Sequence, residues 1–259
     1  MKRIIISMVA LLAVAATCVS CKDNSMFNLS VEEVAGKGAA PVSWPRNTVL
    51  ATWDDTMEPV EVKTAGTAPD STFATLQLPE GMRTQGVRRF VYPATLCGGQ
   101  DQVVIPSVQN GRDFPQGMPL YAETRDGGAD VLFKSLCGVL RLQLTTDVRL
   151  ASVRVSTEDT VFMTGRFGVG NYPFPVLNAA SGAEKYAVCE GLQAVDFAQG
   201  ADLNLYVAPN CYNTFTVTLV AEDGRTCVKN LKEDKYVVVE RNAVCTIRLG
   251  GEEGELVFE

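Results

Sequence analysis

Short runs of alternating apolar and polar residues are the feature that most constrains the fold of this chain. The alternation recurs from about residue 47 onward, and no segment of helical length carries an apolar stripe with the 3.6-residue period. In residues 214–221, for example, Phe215, Val217 and Leu219 alternate with threonines, as one buried face of an antiparallel strand requires. The pattern predicts an all-β protein built from many short strands.

Residues that favour tight turns separate these strands. Asp223-Gly224 is a pair that accepts positive φ, so we expect residues 226–231 to return beside residues 214–221 as a hairpin. Short strands joined by such turns are typical of β-sandwiches. The other predicted strands are residues 47–53, 72–78, 87–92, 102–105, 136–144, 150–156, 161–167, 203–207 and, with a break, 236–249.

A candidate domain boundary lies between Tyr121 and Phe133, where residues 124–130 form the most polar, glycine-containing join. Interdomain linkers have this composition, which predicts domains at 21–125 and 126–259. An ordinary long hairpin loop would have the same composition. Roughly 240 residues suit one large or two modest domains, and 46% hydrophobic residues is enough to build their cores, so we expect no cofactor.

The first twenty residues are typical of a secretory signal peptide. Two basic residues precede the apolar run Ile4–Ala16, which is shorter than the about 20 residues that a membrane-spanning helix needs. Cys21 follows small residues as the lipid-accepting cysteine of a bacterial lipobox does, although Cys18 stands where Leu is usual. A lipid on Cys21 would anchor the chain to a membrane surface. The alternative is a plain secreted protein.

The charge of the mature chain argues against a nucleic-acid partner. Removing the signal leaves 21 basic residues against 30 acidic residues, a formal charge of −9. Such a surface repels phosphate backbones, and no basic stripe with interleaved aromatic residues occurs in the sequence.

The cysteines and the lack of histidine argue against metal and thiol chemistry. Without a histidine, neither a mixed-ligand zinc site nor a Cys-His nucleophile can form, and no C-x-x-C pair occurs. Several cysteines lie in alternating strands, where a cysteine acts as a small buried hydrophobe. Export would permit disulfides, but the sequence selects no pairing. The six cysteines that follow Cys21 are Cys97, Cys137, Cys189, Cys211, Cys227 and Cys245.

Other patterns that could carry catalysis have simpler interpretations. Gly165, Gly168 and Gly170 do not match the dinucleotide-binding fingerprint, and we interpret them as turn glycines. The adjacent carboxylates Asp54 and Asp55 would point to opposite faces of a strand, so we interpret them as solvated surface residues rather than as an acid and a base. The sequence has neither a G-x-S-x-G motif nor a Walker loop. It therefore predicts no catalytic residue, no metal site and no enzyme.

Two tryptophans are candidates for a sugar-stacking platform. Trp53 ends an alternating strand and is expected in the core, whereas Trp44, beside Pro45, could be exposed. Two tryptophans in 259 residues are a thin supply for such a site.

Seven short segments occur in a fixed order and carry a family resemblance. They are residues 89–94, 104–109, 118–122, 132–142, 205–209, 222–224 and 239–242. Through their order and spacing the chain resembles the fimbrillin and Mfa-like lipoproteins of Bacteroidetes, whose members build or anchor surface pili. The resemblance implies two tandem transthyretin-like antiparallel β-sandwich domains, which agrees with the strand pattern and with a boundary near residue 125.

The resemblance also implies a function and a location. It implies a surface lipoprotein that is a structural, tip or anchor subunit of a fimbria, with other fimbrillin-like subunits as partners. The lipid on Cys21 would hold the chain at the outer membrane, on the cell surface or in the fimbrium. Lys22-Asp23-Asn24 is loosely similar to the signal that exports such lipoproteins to the surface. The alternative is a monomeric surface lipoprotein that binds a glycan or a host ligand.

A maturation site follows from the same resemblance. Stalk fimbrillins are cut by an arginine-specific protease in the loop after their first strand, and a donor strand from a neighbouring subunit fills the groove. Here Phe27, Leu29 and Val31 alternate as a first strand, and Arg46 is the activation candidate. The opposite expectation is that Arg46 is an ordinary solvated loop residue. The donor-strand candidate is Leu256, Val257 and Phe258.

Overall fold

The protein is almost entirely β-structure. The computed structural model describes residues 26–35, 42–65, 71–82, 86–125, 128–171, 174–231, 236–251, 254 and 256–259. Within these ranges the only helix described over its full length is a 3-10 turn at Ala94–Leu96. The prediction of an all-β protein is therefore confirmed. Cys21 and the signal peptide lie outside the described residues.

Seven of the first ten strands build a closed sheet. The ten strands are β1 (Met26–Val31), β2 (Val49–Asp54), β3 (Val60–Ala65), β4 (Phe73–Gln77), β5 (Arg88–Tyr92), β6 (Cys97–Gly99), β7 (Gln102–Ile105), β8 (Val108–Gln109), β9 (Leu120–Thr124) and β10 (Asp130–Ser135). Seven of them close into a barrel in the order β1-β10-β9-β5-β2-β3-β4. Every neighbouring pair is antiparallel except β1 and β10, which are parallel.

The later strands form a sandwich. They are β11 (Gly138–Thr145), β12 (Leu150–Thr157), β13 (Thr164–Asn171), β14 (Pro175–Glu184), β15 (Tyr186–Cys189), β16 (Ala201–Val207), β17 (Asn210–Tyr212), β18 (Phe215–Ala221), β19 (Thr226–Leu231), β20 (Val237–Val239) and β21 (Val244–Gly250). One sheet has the order β16-β11-β21, and the other has the order β19-β18-β12-β15-β8. Their inner faces share one core, as in a β-sandwich. Two smaller sheets are β14-β13-β7-β6 and β17-β20.

The period-two alternation places the expected residues inside the sandwich core. Phe215, Val217 and Leu219 of β18 are buried, and the intervening threonines are not. Ile247 and Leu249 of β21 pack in the same core, with Cys245 partly buried against it. The hairpin of β18 and β19 around Gly224, which has φ of 89°, forms as predicted.

A second hydrophobic core fills the barrel and extends past it. It includes Phe27, Trp53, Phe90 and Phe133 from the barrel strands. It also includes residues of the later strands, among them Tyr206. The barrel and the sandwich are therefore packed against each other through apolar contacts.

The polar join at residues 124–130 connects two strands of one sheet. β9 and β10 flank it and pair antiparallel, with Lys134 opposite Tyr121. β10 therefore follows the predicted boundary at residue 125 yet belongs to the barrel. The division into domains at 21–125 and 126–259 stays a prediction.

The interpretation of three glycines as turn residues was wrong. Gly165, Gly168 and Gly170 all lie within β13, which pairs with β7 and β14. At Gly165 the register shifts and φ is 87°, and an added Cβ would lie 2.2 Å from the carbonyl oxygen of Gly182. This glycine is therefore required by a bulge and by the close approach of β14, not by a turn.

Candidate functional site: the first-strand groove

The candidate site is the position that β1 occupies in the barrel. β1 pairs with β4 along one edge, from Met26 opposite Gln77 to Ser30 opposite Phe73. Along its other edge it pairs with β10, where Val31 lies opposite Phe133. Since β1 is hydrogen-bonded on both edges, its removal would leave two strand edges with unpaired backbone groups.

The inward side chains of β1 fill the barrel core. Phe27 and Leu29 have no exposed surface. The ring of Phe27 meets that of Phe90 edge to face, with centroids 5.7 Å apart. Removing β1 would therefore open an apolar groove as well as two strand edges, which is the combination that recruits a strand from another chain.

A charged clamp lies directly after β1. The carboxylate of Glu32 accepts a hydrogen bond from the backbone amide of Ser135 through Oε1. The guanidinium of Arg241 donates to both carboxylate oxygens, and its bond to Oε2 measures 3.1 Å. Only 16% of the Glu32 side chain and 20% of the Arg241 side chain are exposed. Such a two-pronged, partly buried pair is among the stronger polar contacts of proteins.

Backbone contacts continue the attachment beyond Glu32. The side-chain amide of Asn242 donates to the carbonyl of Glu33 at 2.6 Å. The amide of Ala35 donates to the carbonyl of Asn242 at 2.8 Å. The segment after β1 is thus held by residues that lie just before β21, more than 200 positions away.

Arg46, the activation candidate, lies in an exposed turn. The turn comprises Arg46 and Asn47, and Asn47 has φ of 58°. It is closed by the hydroxyl of Thr48, which donates to the carbonyl of Pro45 at 2.7 Å. The side chain of Arg46 is exposed, as cleavage by a protease would need. Cleavage after Arg46 stays a prediction.

Trp44, two positions before Arg46, does not lie at the surface as the sequence suggested. Trp44 is fully buried, and its amide donates to the carbonyl of Ser71 at 2.8 Å. Its ring packs edge to face against Tyr92 and Phe133. With Trp53 only 1% exposed, the two tryptophans form no sugar-stacking surface. The sequence did not predict the burial of Trp44, because Trp44 is an isolated strand residue. No alternation of apolar and polar neighbours marks its inward face.

The donor-strand candidate packs on its own chain. Leu256 and Phe258 are partly buried against the sandwich core, while 60% of Val257 is exposed. Glu259 exchanges two backbone hydrogen bonds of 2.8 Å with Thr226 at the start of β19. Donation to another molecule would require these contacts to break, and the donor role stays a prediction.

Two adjacent carboxylates outside the groove have arginine partners. Asp54 is buried and pairs with Arg88 at 3.0 Å, whereas the exposed Asp55 pairs with Arg89. Desolvation lowers the pKa of Arg88 despite the nearby Asp54. The interpretation of both carboxylates as solvated is therefore wrong for Asp54, which is buried at the end of β2, whereas Asp55 lies beyond the strand and is exposed. Among the described residues no group of three His, Cys, Asp or Glu side chains could hold a metal ion.

The cysteines of the described chain are all free thiols. Cys137, Cys189 and Cys227 are buried, as expected of small hydrophobes, but Cys211 is exposed. Burial raises the pKa of Cys189 to about 12. Apart from Cys211, these thiols are therefore shielded from solvent or poorly ionised.

None of the described helices is both long and apolar enough to span a membrane.

The clamp residues were missed from sequence. Arg241 and Asn242 stand in one of the segments that carry the resemblance, but nothing local links them to Glu32. The partners are 209 positions apart, and no periodic pattern connects two such positions. Only strand pairing in three dimensions brings them together.

Comparison with known proteins identifies the fold. No protein-family model and no curated protein sequence matches the chain. A Bacteroides ovatus structure, provisionally described as a cell adhesion protein, matches 90% of this chain and 94% of its own, with 13% identity and a TM-score of 0.53. A similarly described Bacteroides uniformis structure covers 91% of this chain and 96% of its own, with 14% identity and a TM-score of 0.50. The tip fimbrial protein Mfa3 of Porphyromonas gingivalis covers 90% and 98%, with 12% identity and a TM-score of 0.40.

The first two matches extend over almost the full length of both chains. The protein therefore has the fold of these Bacteroides proteins, which confirms the resemblance at the level of the fold.

Proposed function

We infer that this chain is a surface lipoprotein that serves as a structural, tip or anchor subunit of a fimbria, and that it is not an enzyme. In this proposal the lipid on Cys21 holds the chain at the outer membrane, on the cell surface or in the fimbrium. Its partners are other fimbrillin-like subunits, joined by donor-strand addition. Full-length fold similarity to Bacteroides proteins provisionally described as cell adhesion proteins supports this class.

One observation carries the proposal: β1 is an internal strand that precedes an exposed arginine. Cleavage after Arg46 would separate β1 covalently from the remainder of the barrel. The edges of β4 and β10, and the apolar positions now filled by Phe27 and Leu29, would then be available to a strand from another subunit. Release of β1 would require loss of the Glu32 clamp and of the Trp44 packing as well.

Limited digestion with an arginine-specific protease tests this proposal on the full mature chain. We expect cleavage after Arg46, release of the fragment that ends at Arg46, and a ladder of oligomers on native gels. Arg46→Ala should abolish both the fragment and the ladder. Resistance at Arg46, or a cleaved chain that stays a stable monomer, would exclude a stalk subunit and favour an anchor or a receptor.

A matched control separates strand release from cleavage in general. The side chain of Arg125 is 69% exposed and lies in the join between β9 and β10. A cut there frees no single strand from the barrel. Arg125→Ala should therefore leave the oligomer ladder unchanged.

The alternative function is a monomeric surface lipoprotein that binds a glycan or a host ligand. A cavity of about 200 Å³ favours it, with Asn110, Asp113, Asn204 and Tyr206 among its lining residues. The hydroxyl of Tyr206 is buried and has no hydrogen-bond partner among the described residues. Binding of the uncleaved monomer to a glycan array, lost in Tyr206→Phe and Asn204→Ala, would support this function. No binding to any glycan would leave the fimbrial subunit as the better proposal.

A further inference from the structure

We propose that Arg241 and the amide of Ser135 form a carboxylate-binding end of the first-strand groove, so that the groove selects a donor strand in which an acidic residue directly follows the alternating apolar residues. The occupant that we assign is the tail of a second copy of this chain, in which residues 256–259 match positions 29–32 of the groove. This inference rests on the proposed function, because it names the partner of the same groove.

Two contacts hold the Arg241 side chain independently of β1. Nη1 of Arg241 also donates to the carbonyl of Ser135 at 3.0 Å. The guanidinium lies over the ring of Phe174, 5.1 Å from its centroid. Neither contact involves β1 or Glu32. These contacts should keep Arg241 in place when β1 leaves, so the empty groove would end in a positive charge.

The surroundings of this end add to its preference for an acid. The ammonium of Lys134 lies 5.2 Å from the centroid of the same Phe174 ring. In the intact chain only 20% of the Arg241 side chain is exposed, and a donor strand in the register of β1 would cover it again, so water would solvate it poorly. A donor strand without an acid would leave a partly buried charge unpaired, which is costly. Discrimination therefore comes from the penalty on the wrong strand as much as from attraction to the right one.

The register fixes where the acid must stand. Val31 lies opposite Phe133, and the amide of Glu32 donates to the carbonyl of Phe133 at 2.9 Å. Because β1 runs parallel to β10, the residue after the last apolar position meets Ser135 and Arg241. A slip of one residue would turn the apolar side chains away from the core. The pattern required is apolar, any, apolar, acidic, as in residues 29–32.

The tail of this chain carries that pattern. Leu256, Val257, Phe258 and Glu259 follow the order of Leu29, Ser30, Val31 and Glu32. Both segments place two apolar residues at alternating positions and an acid directly after the second. The tail already packs as an extended segment beside Thr226 of its own molecule. Of the chain's own segments after β1, it is the one we assign to the groove of a second copy.

Peptide binding to the cleaved chain tests the inference. The full mature chain is cut after Arg46 and titrated with fluorescent peptides, with anisotropy as the readout. One pair has the sequence of residues 26–35 with Glu32 or with Glu32→Gln. The second pair has the sequence of residues 250–259, amidated at its end, with Glu259 or with Glu259→Gln. We expect each acidic peptide to bind roughly tenfold to a hundredfold more tightly than its glutamine partner.

The protein variants assign this preference to Arg241. In Arg241→Gln the acidic and glutamine peptides should bind equally, and Arg241→Lys should restore part of the preference. The comparison of acidic and glutamine peptides on the unmodified protein needs no protein variant. It therefore still tests the acid requirement if Arg241→Gln fails to fold.

The outcomes separate this inference from the proposed function. Equal binding of the acidic and glutamine peptides to the unmodified cleaved chain would overturn the acid requirement and leave donor-strand addition standing. In another outcome, the acidic 26–35 peptide binds more tightly than its glutamine partner while the tail peptide does not bind. That result would support the carboxylate clamp and overturn the tail of a second copy as the occupant. Binding of no peptide would overturn donor-strand addition at this groove, and this inference with it, and would leave the anchor or receptor roles.

Discussion

The ring of Trp44 meets the ring of Phe133 edge to face, with centroids 5.1 Å apart and an interplanar angle of 77°. Trp44 is two residues before the candidate cleavage site, and Phe133 lies in β10, the parallel neighbour of β1. The segment before Arg46 therefore contributes to the barrel core in its own right. Releasing the fragment that ends at Arg46 would remove Trp44 together with β1.

Trp44→Ala should destabilise the uncleaved protein strongly. Loss of a fully buried tryptophan leaves a cavity, so we expect the free energy of unfolding to fall by about 3–5 kcal/mol in a denaturant titration. Phe73→Ala is the control, because 69% of Phe73 is exposed and its removal should change stability by under about 0.5 kcal/mol. Equal losses for the two variants would contradict the packing of Trp44.

Leu219→Ala should cost about 2–5 kcal/mol, because Leu219 has no exposed surface in the sandwich core. Thr216→Ala on the opposite face of β18 removes one hydrogen bond, 2.9 Å long, to Asn230. We expect that loss to be only about 1 kcal/mol or less, measured in the same titration. Equal effects would contradict the inward facing of Leu219.

Acid should weaken the contact between Asp159 and the start of β18. Although desolvation acts in the opposite direction, hydrogen bonds from the amides of Asn213 and Thr214 hold the pKa of Asp159 below its usual 3.8. A carboxyl with a lowered folded pKa stabilises the fold above its unfolded pKa, and the stability is lost as the pH falls through the folded value. Asp159→Asn should therefore lower stability at pH 7 and flatten its decline below about pH 4. An unchanged pH dependence of unfolding would contradict this role.

Thiol labelling should single out Cys211. Cys211 is exposed, whereas Cys137 and Cys189 are buried and burial raises the pKa of both thiols. In a chain that starts after Cys21, one thiol should react quickly with a chromogenic disulfide at pH 8, and Cys211→Ser should abolish that phase. Denaturant should then expose the other five. Several fast thiols in the native Cys211→Ser variant would contradict the shielding of the three buried cysteines and of the half-buried Cys97 and Cys245.

The sequence by itself determined which residues face inward in the strands that alternate clearly. Period-two alternation depends only on the geometry of a strand, in which neighbouring side chains point to opposite faces. For that reason Phe215, Val217 and Leu219 could be assigned to the core, and the Asp-Gly turn could predict the return of β19. β14, with the sequence Pro-Val-Leu-Asn-Ala-Ala-Ser-Gly-Ala-Glu, has no such alternation and was not predicted.

Only the tertiary structure decided which strands are neighbours. The parallel pairing of β1 with β10 joins residues about a hundred positions apart, and the bond between Glu32 and Arg241 spans 209 positions. Alternation gives a strand its inner face but not its partners, because the same apolar face can pack in several sheets. The burial of Trp44 and the carboxylate clamp at the end of the first-strand groove arise from those pairings, so they became visible only once the barrel had closed.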